Sequence, residues 1–182
     1  MKKIILIIFV ITLLSFKSYN DSQNDEIKNF IVGELKDLEL IEDKKNISNL
    51  FFQNNLNENI KFSKFNGNIL LINFWATWCP PCIKEMPSLD RLQSKFDKGF
   101  KVLPISLDRD GVEEVKNFYI ETKIKNLNQF FDFKNTLAKE LKLFGLPTSF
   151  FVNKDGIIIA KYEGDIEWDN DNVIKFIKYL NK

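Results

Sequence analysis

Asn73-Phe74-Trp75-Ala76-Thr77-Trp78-Cys79-Pro80-Pro81-Cys82-Ile83-Lys84-Glu85 is the stretch on which the reading of this chain turns. An apolar, β-favouring run, Ile69 to Trp75, leads into it and ends in a Thr-Trp turn. Cys79 and Cys82, the two cysteines of the protein, then open a helix. At that spacing the sulfurs can bond to each other or stand apart as thiols within one helical turn. A Cys-x-x-Cys between a strand and a helix is a redox signature. Only a thiolate attacks a disulfide, and a free cysteine's pKa near 8.5 leaves few thiolates at neutral pH. Cys79 sits where unsatisfied N–H groups and the positive end of the helix dipole favour its thiolate. It is therefore the expected nucleophile, and Cys82, one turn deeper, the resolving thiol. Pro81 suits the first helical turn, where a missing donor costs little.

Composition narrows the alternatives. The 182 residues are one domain's worth with an appendage, and 45% apolar content with 18 Phe supports a packed core. Three of the 26 basic residues (Lys2, Lys3 and Lys17) lie at the N-terminus, which leaves 23 against 25 acidic groups in the remainder. No basic run interleaved with aromatics is present, so nucleic acid is not an expected partner. Arg91 and Arg109 alone offer a guanidinium fork. Histidine is absent, which removes the commonest general base and the commonest nitrogen ligand. With two Cys and no His, a four-ligand zinc site is not expected, and neither is any other metal or cofactor.

Outward from the motif, Met1-Lys2-Lys3 followed by the apolar Ile4 to Leu14 reads as an export signal. Residues 1–19 are a signal peptide or a membrane anchor. The lack of an Ala-x-Ala site favours an uncleaved tether, with the soluble part outside the cytoplasm. Residues 20–46 are a linker and N-terminal extension, in which Ile27, Phe30, Ile31, Leu35 and Leu38 predict an amphipathic helix interrupted by Gly33. Leu50–Phe52 and Ile60–Phe62 predict a hairpin across an Asn-rich turn. Asn66-Gly67 is a turn into the strand Ile69–Trp75. A helix runs from Cys79 to about Phe96, kinked at Pro87. Lys101–Leu107 reads as a strand, followed by a helix capped by Asp110. Asn126–Phe131 is a short strand and Asn135–Leu143 a helix closed by Gly145 at C′. Thr148–Val152 and Ile157–Tyr162 are strands joined by the turn Asn153–Gly156, and Asn170–Leu180 is the last helix. This alternation gives a central mixed sheet flanked by helices, with the chemistry at the carboxyl ends of its strands.

The motif and its surroundings resemble the TlpA branch of the thioredoxin-like thiol:disulfide oxidoreductases exported by bacteria. Residues 73–92 (NFWATWCPPCIKEMPSLDRL), Leu103–Asp108, Gly145–Phe151 (GLPTSFF), Asp155-Gly156, Gly164 and Trp168 carry the resemblance, with Val32–Leu35 as weaker support. It implies a thioredoxin-like fold over residues 47–182, with an N-terminal extension or hairpin and a βα insertion. It also implies that Pro147 is a cis proline facing the cysteines. Leu146 and Pro147, with Trp78, Pro80 and Pro81, then form the substrate-binding rim, and Trp75 and Trp78 take core and rim packing. Thioredoxin proper has a buried carboxylate six residues before the first cysteine, where this chain has Asn73. Glu85, three residues after Cys82, is either its replacement in proton transfer or a solvated helix acid. Thr148 replaces the glutamate usual in the CcmG branch, which handles apocytochrome c.

The implied activity is reductive, because Pro80-Pro81 offers no charge to stabilise the thiolate further. The implied substrates are disulfides of copper-delivery proteins or of the copper-binding oxidase subunit. A membrane thiol carrier would be the electron donor, and the chain is expected to be a periplasm-facing monomer. Two other readings stay open: a redox-silent assembly module with a structural disulfide, and a thiol peroxidase, for which no arginine lies in the motif.

Overall fold

The computed structural model describes residues 26–109 and 111–182. The export segment, the polar stretch 20–24 and the proposed cap Asp110 lie outside the described residues.

The organising strand forms as its composition dictates. Strand β4 (Ile69–Trp75) is buried along its whole length. Its side chains alternate between two apolar clusters, as strand geometry requires. Ile69, Leu71 and Trp75 enter one cluster; Leu70, Ile72 and Phe74 enter the other. Each fully buried side chain of this size contributes roughly 1.5–3 kcal/mol. Asn73 is the exception, a polar side chain with no exposed surface.

Seven further strands complete the sheet: β1 (Glu39–Leu40), β2 (Phe51–Asn54), β3 (Asn59–Lys61), β5 (Phe100–Ser106), β6 (Phe130–Phe131), β7 (Thr148–Val152) and β8 (Ile158–Glu163). Their spatial order is β1-β8-β7-β4-β5-β6-β2-β3. The pairs β4–β5 and β5–β6 are parallel and the others antiparallel, so the sheet is mixed. Helices α1 (Pro80–Ser94), α2 (Val112–Glu121) and α4 (Asp171–Leu180) pack their apolar residues into the first cluster. The short α3 (Thr136–Glu140) and a 3-10 turn (Phe62–Phe65) pack into the second. The β2–β3 hairpin and the β6–α3 pair are the additions to the central sheet.

Several local expectations are corrected. The stretch around Leu35 is not a continuous helix. Gly33 adopts φ +57, and only a 3-10 turn, Gly33–Leu35, follows it. Ile27, Leu35 and Leu38 are nevertheless buried in the core, so their spacing records burial without helical periodicity. The strand expected over Asn126–Phe131 shrinks to Phe130–Phe131. Gly145 is not the cap of α3; Lys142, with φ +53, takes the left-handed position just after that helix. Helix α1 continues through Pro87, as expected, and ends at Ser94. The Asn-rich hairpin turn does form, with Asn54 Oδ1 accepting from the N–H of Leu56 and of Glu58.

Candidate active site

Strand β4 delivers the chain to the carboxyl edge of the sheet, and α1 begins after four intervening residues. Cys79 is the N-cap of α1 and is bonded to Cys82, with an S–S distance of 2.04 Å and Cα atoms 5.3 Å apart. Cys79 keeps 5% exposure and Cys82 none, so an incoming sulfur meets Cys79 first. The first two helical positions are Pro80 and Pro81, which carry no N–H. Fewer backbone donors therefore face Cys79 than a helix N-terminus usually offers. The expected help from unsatisfied N–H groups is thereby reduced, which weakens the stabilisation of a Cys79 thiolate.

The turn before Cys79 is fastened from β5. Asp108 is buried and accepts from Thr77 through both its backbone N–H (3.0 Å) and its hydroxyl (2.7 Å). Ser106 Oγ donates to the same carboxylate at 2.7 Å. Trp78 is left 66% exposed beside the disulfide, whereas Trp75 is buried against Phe118 and Tyr119. Pro80 is exposed, and Pro81 and Leu146 are half-buried. A groove of about 570 Å³ opens next to Trp78, lined by Thr77, Asp108, Arg109, Glu114 and Asn135 among others.

On the other side of β4, β7 runs antiparallel with Thr148 opposite Phe74. This register brings the Leu146–Pro147 bond to the same sheet edge as the cysteines. The bond is cis, and Leu146 packs on the cluster that contains Cys79 and Cys82.

Glu85 is not a solvated helix acid: it is 1% exposed, one turn beyond Cys82. Oε1 accepts from Asn73 Nδ2 at 2.7 Å, and Oε2 from the Trp168 indole N–H at 2.7 Å. Burial pushes the Glu85 pKa up to about 7, against the opposing hydrogen bonds from Trp168, Asn73 and the Ile166 backbone. A segment after β8 supplies the cover. Lys84 binds Asp165, Arg91 binds Glu167 and Asp169, and the Trp168 backbone N–H donates to Ser88 Oγ. Arg91 is thereby committed to carboxylates and is no free phosphate fork. Sequence reasoning missed this cover and the roles of Trp168 and Asp108. A polar Asn73 inside an otherwise apolar buried strand was the one available signal. Among the described residues no group of three or more His, Cys, Asp or Glu is placed to hold a metal ion.

A mixed sheet whose central strand feeds a Cys-x-x-Cys helix, set beside a cis proline, defines a thioredoxin-like protein. The sequence agrees: residues 42–161 match the AhpC/TSA family, and the chain belongs to it. Among curated relatives it is 35% identical over 107 residues to the thiol-disulfide oxidoreductase ResA of Bacillus thuringiensis subsp. konkukian, covering 58% of this chain and 61% of that protein. It is 30% identical over 108 residues to the thiol:disulfide interchange protein DsbE of Vibrio cholerae, covering 59% and 56%. The chain thus spans about three fifths of the length of these relatives. In fold it is similar to a DsbE-type protein of Chlorobium tepidum, with a TM-score of 0.68, 22% identity and coverage of 78% of this chain and 99% of that one. StoA of Bacillus subtilis gives a TM-score of 0.55 at 22% identity, covering 76% and 97%.

Proposed function

We propose that this protein is a thiol-disulfide oxidoreductase working in the reducing direction on protein disulfides. The observation that carries the reading is the Cys79–Cys82 pair at the start of α1 with the buried Glu85 carboxyl one turn below it. In the reduced protein the Cys79 thiolate attacks one sulfur of a substrate disulfide. A mixed disulfide forms and the other substrate sulfur leaves as a thiolate. Cys82, which gives up its proton to Glu85, then attacks Cys79. The 79–82 disulfide re-forms and the substrate's second thiolate is released. Two electrons pass to the substrate, and a dithiol donor, expected to be a membrane thiol carrier, restores the cysteines. A carboxyl with a pKa near 7 is suited to take and return that proton at neutral pH.

Trp78, Pro80, Pro81, Leu146 and Pro147 form the rim on which the substrate chain lies. The backbone around Leu146 offers an edge for an extended segment. The Lys-Lys start and the apolar run after it support export, with residues 1–19 as signal or tether, 20–46 as an extension and 47–182 as the working domain. No helix among the described residues is long and apolar enough to cross a membrane. Within this reading the substrates are cysteines of copper-delivery and cytochrome oxidase assembly proteins, kept reduced until metal insertion. Reduction of an apocytochrome c disulfide to its two thiols is the second reading, disfavoured by Thr148. The test is turnover: reduced protein should reduce insulin disulfides, and Cys79→Ser should not. Equal turnover by that variant overturns the reading. A Cys82→Ala variant should retain its substrate as a mixed disulfide and so identify it.

A further inference from the structure

The Asn73 carboxamide has one feature that the exchange mechanism leaves unused. Its Nδ2 donates twice, to Glu85 Oε1 at 2.7 Å and to Ser149 Oγ at 2.9 Å. Its Oδ1 is buried and has no hydrogen-bond partner. A buried acceptor left unpaired costs free energy, and such groups call for an explanation. The surroundings of Glu85 supply one. Both of its side-chain partners, Asn73 Nδ2 and Trp168 Nε1, are donors, which suits a carboxylate. A protonated carboxyl must itself donate, and in this arrangement Oε1 and Oε2 each face an N–H.

Rotating the Asn73 amide by half a turn exchanges Oδ1 and Nδ2, which are of nearly equal size. Oδ1 then lies between Glu85 and Ser149, where it can accept from the carboxylic O–H and from the serine hydroxyl. We propose that Asn73 is the positioning residue for Glu85: its carboxamide donates to the carboxylate, turns over when the carboxyl takes a proton, and so presents a matched partner to each protonation state. This rests on the exchange reading only in assigning that proton to Cys82; the switch itself needs no substrate. The other titratable groups around Glu85 are Asp165 on the covering segment, paired with Lys84 of α1, and Tyr162 of β8. Strands β4 and β7 contribute the neutral Asn73 and Ser149, and Cys82 is held in the disulfide.

The experiment is a pH titration, from 5 to 9, of the oxidised, nitrogen-15-labelled protein by two-dimensional NMR. It follows the Asn73 side-chain amide and the Trp168 indole N–H. The expected result is that both move with one common midpoint, and that the Asn73 amide protons, relative to the intrinsic base-catalysed rate at each pH, are less protected from solvent exchange on the acid side, where they lose their acceptors. Asn73→Leu should move the Trp168 midpoint upward by about one pH unit, because the carboxylate loses a donor. Trp168→Phe should shift the Asn73 midpoint in the same direction. An Asn73 amide that stays fixed while the indole titrates overturns the proposal, as does an unmoved Trp168 midpoint in Asn73→Leu. If Asn73→Leu does not fold, the wild-type amide and the Trp168→Phe shift decide alone. Normal titration with no insulin reduction leaves the switch standing and removes the exchange reading; the reverse outcome removes the switch only.

Discussion

Removing the Glu85 charge should change how stability depends on pH, and by a calculable amount. The folded-state pKa near 7 lies above the 4.5 of an unburied glutamate because burial penalises the ionised form. Between those two values the folded protein holds a proton that the unfolded chain has released. The stability contributed by Glu85 is therefore fully present below pH 4.5 and is lost as pH rises through 7. At about 1.4 kcal/mol per pH unit of displacement, the whole loss is about 3 kcal/mol. For a chain of this size that corresponds to roughly 6–12 °C in Tm. Glu85→Gln abolishes the titration, so its stability should be nearly flat from pH 4.5 to 8 while that of the wild type falls. The variant's absolute level carries a separate cost, since a glutamine amide sets an N–H against one of two donors, Asn73 Nδ2 or Trp168 Nε1. The comparison is thus of slopes. Chemical denaturation of both oxidised proteins at five or six pH values gives them. Parallel curves would refute the reasoning, because they would mean that Glu85 ionises in the fold as it does in water.

Other outcomes follow from the same geometry. Pro81→His places a cation between the cysteines and restores a backbone N–H at the second helical position, so the Cys79 thiol should become more acidic. Each pH unit of added acidity raises the reduction potential by about 30 mV, measurable by equilibration with a glutathione or dithiothreitol buffer. Asp108→Ala releases both hydrogen bonds to Thr77, leaves Ser106 without its carboxylate and should cost about 1–3 kcal/mol in denaturation midpoints. Insulin reduction should slow with it, as the turn before Cys79 loosens. Trp168→Phe removes one of the two side-chain donors to Glu85 and should move the steep part of the wild-type stability curve to higher pH. Trp78→Ala, at an exposed position, should leave the denaturation midpoint within about 0.5 kcal/mol while raising KM for a protein disulfide.

The residues explain which features could be read before the structure. Strand β4 has the predicted bounds because seven consecutive buried side chains between an Asn-Gly turn and a Cys-x-x-Cys leave little freedom. Strand β7 and α4 are similarly marked, the latter by Asn170 accepting from the N–H groups of Asn172 and Val173. The stretch around Leu35 was misread because its apolar residues are spaced by where they meet the core, while Gly33 bends the backbone out of a helix. The helix after Asn135 was placed correctly but ended wrongly, since a lysine took the left-handed position that the glycine rule reserves for Gly145. At the site, the cysteines were legible as a local motif, and the cis proline through the family resemblance. The Glu85 environment was not, because Asn73 and Trp168 lie 12 residues before it and 83 after it, and long-range hydrogen bonds leave no period in a sequence.

The central claim is that positions 79 and 82 form a reducing couple whose thiolate is only modestly stabilised by a helix start of two prolines. Its most direct test is the midpoint potential of the 79–82 couple at pH 7, read by trapping thiols after equilibration with a redox buffer. A value near that of thioredoxin, about −270 mV, is expected, and a value near that of the oxidant DsbA, about −120 mV, would contradict a reducing couple.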